Sequence, residues 1–221
     1  MKKIAVLIPA FNASATIAGV ISGAMEHVPV ERIIVVDDGS SDGTFLIAEK
    51  LGAHTLKHTV NKGKGAALQT GFDFFLTSPF DAVVTLDADL QHPPQMIPDF
   101  INQYSSGAFD VIIGSRLHDK KTMPLHRVLS NTLTTFLVNA RTSMSIADSQ
   151  SGYRLINRRV LEAVRLQSTG FEAETEFIIK AAEHGFRFGS VPIATIYAGE
   201  KSHMTPWATT VNFVRILFQD Y

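Results

Sequence analysis

The sequence has no cysteine among its 221 residues. This absence excludes a disulfide framework, a cysteine-based zinc site, an iron–sulfur cluster and a thiol nucleophile. Any bound metal ion must therefore be held by carboxylates, imidazoles, amides, carbonyls or water. The chain also has no excess of charge of either sign, because 20 Lys and Arg stand against 21 Asp and Glu. A protein that binds nucleic acid mainly by neutralising phosphates is usually basic, so we expect no nucleic-acid partner.

Long apolar runs are scarce, and only residues 4–25 form an uncharged stretch that could cross a bilayer or act as a signal peptide. Pro9, Asn12 and several small polar residues interrupt this stretch. The same order of strand, turn and helix recurs directly downstream, so we favour a buried strand followed by a helix that begins near Ser14. The sequence thus predicts a cytoplasmic protein.

Two glycine motifs that bind nucleotides are also absent, which argues against a dinucleotide site and a P-loop. No G-x-G-x-x-G follows a predicted strand, and no G-x-x-x-x-G-K-S/T occurs. Instead, the first half alternates strands with helices, which predicts a mainly parallel sheet with helices on both faces. Its strands are expected at residues 3–9, 33–36, 53–58, 82–86 and 110–114, and its helices at 45–51, 65–76 and after Pro93-Pro94. In the second half we expect helices at 125–140, 172–184 and 207–218, a strand at 152–156 and a strand pair at 186–196.

Polar clusters follow three of these strands, at residues 9–12, 37–40 and 87–92. Because the carboxyl ends of parallel strands meet at one edge of a sheet, these clusters would line a crevice rimmed with carboxylates. Asp87, Asp89 and Gln91 alternate as three oxygen ligands, a pattern typical of Mg²⁺ or Mn²⁺, which bind carboxylates together with substrate phosphates. The alternative is a turn in which the aspartates cap the next helix.

Residues 38–49 match the ligand spacing of an EF-hand loop, but they follow a strand and not a helix, so we do not expect a calcium site. A helix cap by Asp42 and a nucleobase or ribose contact by Asp37 or Asp38 explain the segment better. Residues 61–65 combine two lysines with two glycines at a helix start, where backbone N–H groups form a natural anion site. A solvated turn is the alternative there.

Two arginines follow the fifth strand, and Arg116 and Arg127 are both suited to bidentate capture of a phosphate. The lysines at 120 and 121 are explained more simply as a solvated loop. Three glutamates open the helix at 172–184, where negative charge favours the helix dipole. That explanation is sufficient for two of the three.

Together these segments resemble the family 2 glycosyltransferases of the GT-A fold, closest to the polyprenyl-phosphate branch that includes dolichyl-phosphate mannose synthase-like enzymes. The resemblance is carried, in family order, by Ile8–Asn12, Val35–Thr44, Asn61–Gly65, Asp87–Pro94, Gly114–Arg116 and Asp148–Arg154. It departs at Ala13-Ser14, where many relatives carry glutamates. The resemblance implies a single Rossmann-like, nucleotide-diphospho-sugar transferase domain over residues 1–221. Its residues 1–116 would bind a nucleotide-sugar, and residues 117–221 the acceptor, with an amphipathic C-terminal helix.

The resemblance also implies roles for individual residues. The nucleotide-sugar would contact Pro9, Phe11, Asn12, Asp38, Lys64 and Asp87. The metal ion, Mg²⁺ or Mn²⁺, would be held by Asp87, Asp89 and Gln91. The acceptor phosphate would meet Arg116, Arg127, Ser130 and Asn131.

The first hypothesis is an inverting, metal-dependent transfer of a sugar from a GDP- or UDP-sugar to polyprenyl phosphate. A metal would neutralise the leaving diphosphate, with Asp89, Arg116 and Arg127 in the catalytic centre. A lipid phosphate is already anionic and needs no base, whereas a sugar or other hydroxyl acceptor needs a positioned carboxylate, for which Glu174 is the candidate. A module that binds the membrane without turnover, through the basic loop at 120–127 and the last helix, is the third hypothesis. Peripheral contact with the inner face of the membrane is a further expectation.

Overall fold

The computed structural model describes residues 2–116, 125–194 and 213–219, with only the backbone given at 125–127. Its strands are β1 (Ile4–Ala10), β2 (Ile33–Asp37), β3 (His54–Lys57), β4 (Ala82–Thr85), β5 (Val111–Ser115), β6 (Arg154–Asn157) and β7 (Phe188–Pro192). Its helices are α1 (Ile17–Met25), α2 (Thr44–Lys50), α3 (Lys64–Thr77), α4 (Ile97–Ser105), α5 (Leu125–Thr142), α6 (Arg158–Ala163) and α7 (Ala173–Glu183). Short 3-10 turns cover Val30–Arg32 and Pro94–Met96, and residues 213–217 are helical.

Within the described residues, the strands form one seven-stranded sheet in the order β3-β2-β1-β4-β6-β5-β7. All neighbouring pairs are parallel except those of β6, which runs antiparallel to both β4 and β5. Every residue of β1, β2 and β4 is buried, as expected of parallel strands that are covered on both faces. The prediction of a single α/β domain with a mainly parallel sheet is confirmed.

Two apolar cores lie on opposite faces of the sheet, because successive side chains of a strand point to opposite sides. Ile4, Val6 and Ile8 of β1 pack in one core, with apolar residues of α1 and α4. Ala5 and Leu7 pack in the other, with apolar residues of α3 and α7. This arrangement fixes the strands, so that only their ends and the loops between them are available for binding.

The antiparallel direction of β6 determines which residues reach the crevice. Thr85 at the carboxyl end of β4 is paired with Arg154 at the amino end of β6. The loop that precedes β6 therefore lies at the same edge of the sheet as the loops that follow β1, β2 and β4. This brings the segment 148–153 beside the cluster at 87–92.

The sequence prediction differs from the structure mainly in the second half. Helix α6 was not expected, and it begins where the side chain of Asn157 accepts a hydrogen bond from the backbone N of Arg159. The expected strand pair at 186–196 is a single strand up to Pro192 within the described residues. Of the last predicted helix, residues 207–212 lie outside the described residues. In the described parts of the chain, no helix combines the length and apolar character that a bilayer span requires.

Candidate active site

The carboxylate of Asp38 lies buried just beyond β2, with 3% of the residue exposed. Its Oδ1 is 2.6 Å from Nδ1 of His58 and accepts a hydrogen bond from the backbone N of Lys62 at 2.9 Å. Its Oδ2 accepts from the backbone N of Gly63 at 2.8 Å. Asp38 therefore shapes the segment that leads into α3, and the predicted contact with a nucleotide stays a prediction.

The start of α3 does not offer the free backbone N–H groups that the sequence predicted. The carbonyl oxygen of Thr169 accepts from the backbone N of Gly65 at 2.7 Å and of Ala66 at 3.2 Å. Gly63 has a φ of 98°, and a Cβ there would lie 2.3 Å from that same oxygen, so only glycine fits. The expectation of an open anion site on these N–H groups is wrong, because Asp38 and Thr169 accept their hydrogen bonds.

The ammonium of Lys64 lies between two carboxylates in the crevice. Its Nζ is 2.6 Å from Oδ1 of Asp87 and 2.8 Å from Oε1 of Glu174. The three side chains are only 16%, 25% and 11% exposed in the order Lys64, Asp87 and Glu174. Burial alone would lower the pKa of Lys64, but the two carboxylates raise it overall. Burial alone would raise the pKa of Asp87, and Lys64 lowers it, so both groups are charged at neutral pH.

Gly152 packs directly against this cluster of three charges. A Cβ at Gly152 would lie 2.8 Å from Oε1 of Glu174, 2.9 Å from Oδ2 of Asp87 and 3.0 Å from Nζ of Lys64. The carbonyl of Gly152 accepts a hydrogen bond from the hydroxyl of Thr85 at 2.7 Å. A larger residue would push the loop before β6 away from the charges, so we infer that glycine is needed here for close approach.

The segment after Asp87 turns sharply beside this cluster. Oδ1 of Asp89 accepts a hydrogen bond from the backbone N of Gln91 at 2.9 Å, and Leu90 has a φ of 60°. Positive φ in a leucine stores backbone strain, which is typical of ligand-binding loops. In the part of the chain that the structure describes, no three histidine, aspartate or glutamate side chains converge as a metal cage. The partly exposed carboxylates of Asp87 and Asp89 fit an ion that completes its coordination with substrate phosphates and water.

His92 is a buried residue at the end of this segment. It is 4% exposed, and its ring stacks on Tyr153 with a centroid distance of 5.8 Å and an angle of 20°. Burial lowers the pKa of His92 to about 4, although Asp87 opposes the shift, so the imidazole is neutral at pH 7. Tyr153 follows Gly152 in the loop before β6. The stack therefore packs the predicted metal-binding segment against that loop.

Arg116 is held in place by a carboxylate to which sequence reasoning gave no role. Nε of Arg116 donates to Oδ2 of Asp148 at 2.8 Å, and its Nη2 donates to Oδ1 at 3.0 Å. Asp148 is fully buried, whereas the Arg116 side chain is 15% exposed. This bidentate pair fixes the plane of the guanidinium at the carboxyl end of β5. No spacing rule links residues 116 and 148, so their contact could not be predicted.

Arg154 holds the loop before β6 through hydrogen bonds to backbone carbonyls. This role was not identified from the sequence. Its three nitrogens donate to the carbonyls of Ser151, Glu174 and Ser149 at 2.8, 3.0 and 3.1 Å. The hydroxyl of Ser149 also lies 3.1 Å from that of Thr135 in α5. The loop is thereby fixed to both α7 and α5.

The residues expected at the nucleotide lie at the ends of β1 and β2. Pro9 is buried in β1, and Phe11 is 39% exposed beyond it. Asn12 has a φ of 49°, its Oδ1 accepts from the backbone N of Ser41 at 3.0 Å, and its own N donates to the hydroxyl of Ser40 at 2.8 Å. These bonds join the two loops into one rim.

The predicted cap by Asp42 is confirmed. Its Oδ1 accepts a hydrogen bond from the backbone N of Thr44 at 3.1 Å, at the first residue of α2. Its Oδ2 accepts from the backbone N of Ser14 at 2.9 Å, which ties the start of α2 to the loop after β1.

The residues expected at the acceptor phosphate are described only in part. Ser130 is exposed and Asn131 half-buried near the start of α5. The side chain of Arg127 and residues 117–124 lie outside the described residues. The structure therefore brings Lys64, Asp87, Glu174 and Gly152 together and holds Arg116 on Asp148, while the predicted role of Arg127 stays a prediction.

Comparison with known proteins agrees with this arrangement. The family model described as glycosyl transferase family 2 matches residues 5–165. An uncharacterized protein of Methanocaldococcus jannaschii is 34% identical over 222 residues, with 98% of this chain and 90% of that protein covered. A UDP-N-acetylglucosamine–dolichyl-phosphate N-acetylglucosaminyltransferase of Methanococcus voltae is 31% identical over 218 residues, with 89% and 86% covered. The polyprenol monophosphomannose synthase of Mycolicibacterium smegmatis is 32% identical over 204 residues, with 85% and 75% covered.

Similar solved structures support the fold. Glucosyl-3-phosphoglycerate synthase of Mycobacterium tuberculosis in complex with UDP superposes with a TM-score of 0.77 at 21% identity, covering 98% of this chain and 79% of that one. The same enzyme with Mn²⁺, UDP and glucosyl-3-phosphoglycerate gives a TM-score of 0.73 at 21% identity, covering 97% and 76%. With the family match over most of its length, this chain belongs to glycosyl transferase family 2 and is a glycosyltransferase of the GT-A fold.

Proposed function

We propose that this glycosyltransferase moves a sugar from a UDP- or GDP-sugar to a polyprenyl phosphate, with inversion at the anomeric carbon and with Mg²⁺ or Mn²⁺ on the donor diphosphate. The observation that carries the proposal is the position of Asp87, Asp89 and Arg116, which follow the carboxyl ends of β4 and β5 at the same edge of the sheet. Relatives at 31% and 32% identity are named for dolichyl phosphate and polyprenol phosphate. Residues 1–116 would bind the donor, and residues 117–221 the acceptor.

The chemistry divides between the two sides of the crevice. An oxygen of the lipid phosphate forms the new bond to the anomeric carbon, and the bond from that carbon to the β-phosphate oxygen breaks, with its electron pair leaving on the nucleoside diphosphate. A divalent cation held by Asp87, Asp89 and Gln91 would neutralise the charge that develops on the leaving diphosphate. Arg116, with Arg127, Ser130 and Asn131, would hold the acceptor phosphate. No side chain has to accept a proton.

The environment of Glu174 favours a phosphate acceptor over a hydroxyl acceptor. A hydroxyl would need Glu174 as the general base, but Oε1 of Glu174 is 2.8 Å from the ammonium of Lys64 and the side chain is only 11% exposed. A carboxylate that is already paired and packed in this way is poorly arranged to collect a proton from a bulky acceptor. A lipid phosphate brings no such requirement.

The test compares the two acceptor classes in the wild type and three variants. UDP- and GDP-sugars are offered with Mn²⁺ to a short polyprenyl phosphate and to a panel of sugars. If the acceptor is the lipid phosphate, Arg116→Ala and Arg127→Ala lower transfer and Glu174→Gln changes it little. A roughly 10²–10⁴-fold loss in Glu174→Gln beside an unaffected Arg127→Ala would establish the hydroxyl acceptor instead.

We also propose a peripheral contact with the membrane through α5. Leu129, Leu133 and Phe136 are 62%, 59% and 66% exposed, and their spacing places them on one helical face. This face follows directly after the basic segment at 120–127 in the sequence. An apolar helical face beside basic residues is typical of proteins that bind anionic lipid surfaces.

We therefore expect the protein to sediment with anionic vesicles at low salt, and less well as salt increases. Leu133→Ser should weaken this sedimentation, whereas Leu46→Ser, on an exposed leucine of α2, should leave it unchanged. Equal sedimentation with neutral and anionic vesicles, unaffected by Leu133→Ser, would contradict the contact.

A further inference from the structure

The ammonium of Lys64 contacts the carboxylate of Asp87, which is also a proposed ligand of the metal ion. The ammonium is 2.6 Å from Oδ1 of Asp87, a distance typical of a close ion pair. It is also 2.8 Å from Oε1 of Glu174. A cation that binds Asp87 must therefore compete with a positive charge that the protein itself supplies.

Among the residues that the structure describes, the charges around this point nearly balance. Lys64, Arg116 and Arg154 are the cations of the cluster, and Asp87, Asp148 and Glu174 are its carboxylates. Asp89 adds one further negative charge nearby. With Asp89 counted, these groups carry one negative charge in excess, so a divalent ion that arrives alone would leave one positive charge in excess. A divalent ion that arrives with a nucleoside diphosphate brings its own compensating charge.

The start of α3 is held in place next to Lys64, whereas the ammonium of Lys64 is attached through a flexible stem. Gly65 and Ala66 donate to Thr169, which holds the start of α3 in place. The ring of Phe171 is centred 5.7 Å from Nζ of Lys64 and is 37% exposed. A flexible four-carbon stem allows the ammonium to leave Asp87 without movement of the helix, and the aromatic face offers it a favourable path.

We propose that Lys64 is a resident counter-ion of Asp87 that a divalent cation displaces, so that the crevice binds the cation weakly alone and tightly together with a nucleoside diphosphate, which receives the displaced ammonium. The inference rests on the proposed metal-dependent function. It predicts positive coupling between the cation and the nucleoside diphosphate. Each of these two ligands strengthens the binding of the other by the same factor.

The test measures Mn²⁺ binding by electron paramagnetic resonance and calorimetry, without any sugar transfer. Lys64→Gln should bind Mn²⁺ alone about tenfold more tightly than the wild type, since the competing charge is gone. Lys62→Gln removes the same charge from an exposed neighbouring side chain and should match the wild type. Added UDP or GDP should increase the Mn²⁺ affinity of the wild type more than that of Lys64→Gln.

A double variant controls for misfolding caused by the unbalanced charge that Lys64→Gln leaves on Glu174. Lys64→Gln with Glu174→Gln removes one charge of each sign and leaves Asp87 to the ion, so it should also bind Mn²⁺ alone more tightly than the wild type. The displacement would be overturned if Lys64→Gln and the double variant bound Mn²⁺ no more tightly than the wild type. If Asp87→Asn bound Mn²⁺ more weakly in the same experiment, the metal site itself would still stand. Unchanged affinity in Asp87→Asn would overturn the metal site itself, and the displacement with it.

Discussion

The two edges of the central sheet both carry pairs of aspartate and arginine, but their arginines differ in exposure. At the amino-terminal edge, the side chain of Asp110 is 3% exposed, whereas its partners Arg159 and Arg187 are 54% and 56% exposed. At the crevice edge, Asp148 is fully buried and its partner Arg116 is only 15% exposed. The first arrangement joins the strand β5 to α6 and β7 at the surface. The second holds a guanidinium inside a crevice.

The two edges also differ in what their cations contact. Arg158, at the amino-terminal edge, donates to the backbone carbonyl of Leu76 in the last turn of α3 at 3.1 Å and to that of Phe80 beyond the helix at 2.7 Å. The last carbonyls of a helix lack a partner within it, so the bond to Leu76 helps to complete the end of α3. In the crevice, Lys64 contacts carboxylates that a ligand could also use. Pairs at the first edge stabilise the fold, whereas in our proposal the charges at the second edge are exchanged for those of a substrate.

The largest expected effect of a single substitution is on activity at the crevice edge. Asp89→Ala should lower transfer by about 10³-fold or more, because it removes a carboxylate from the proposed metal site. The segment lies in a loop at a strand end, so the melting temperature should change little. Transfer assays and thermal melts of the same preparation check both statements, and wild-type transfer in Asp89→Ala would remove the assignment of the metal ligands.

The next comparison substitutes the two buried aspartates in parallel. Asp148→Asn and Asp110→Asn should each lower the free energy of unfolding by about 1–3 kcal/mol, because each weakens charge-assisted hydrogen bonds. Asp148→Asn should in addition lower transfer by about 10²-fold, since the guanidinium of Arg116 loses its orientation. Denaturant titrations and transfer assays measure the two effects. Equal losses of transfer in both variants would show that the two edges do not differ in function.

The smallest expected effect concerns the cap of α2. Burial alone would raise the pKa of Asp42, but hydrogen bonds from Thr44 and Ser14 lower this pKa from 3.8 to about 2. A carboxylate whose pKa is lowered in the folded state stabilises the protein when the pH is above the pKa of the unfolded state. This contribution is lost as the pH falls towards 2. Asp42→Ala should therefore cost about 1 kcal/mol at pH 7 and less at pH 2.5. A cost that stays constant over this range would contradict the role of the charge.

The strands and the family could be predicted from the sequence because both depend on local patterns. The β-branched run before Asp37 and the alternating oxygens at 87–91 are visible in neighbouring residues. The contacts that shape the site join distant residues, such as Arg116 with Asp148. The start of α3 illustrates the limit, since the sequence indicated free backbone N–H groups there but could not show that Asp38 and Thr169 of the chain itself accept their hydrogen bonds.

The measurement that tests the central claim most directly is transfer of a sugar from UDP- and GDP-sugars to a short polyprenyl phosphate, before and after removal of divalent ions with EDTA. We predict transfer by the untreated enzyme with at least one donor, loss of transfer after EDTA, and recovery when Mn²⁺ or Mg²⁺ is restored. Undiminished transfer in EDTA would contradict the metal-dependent mechanism. Transfer to a sugar hydroxyl, with none to the lipid phosphate, would contradict the proposed acceptor.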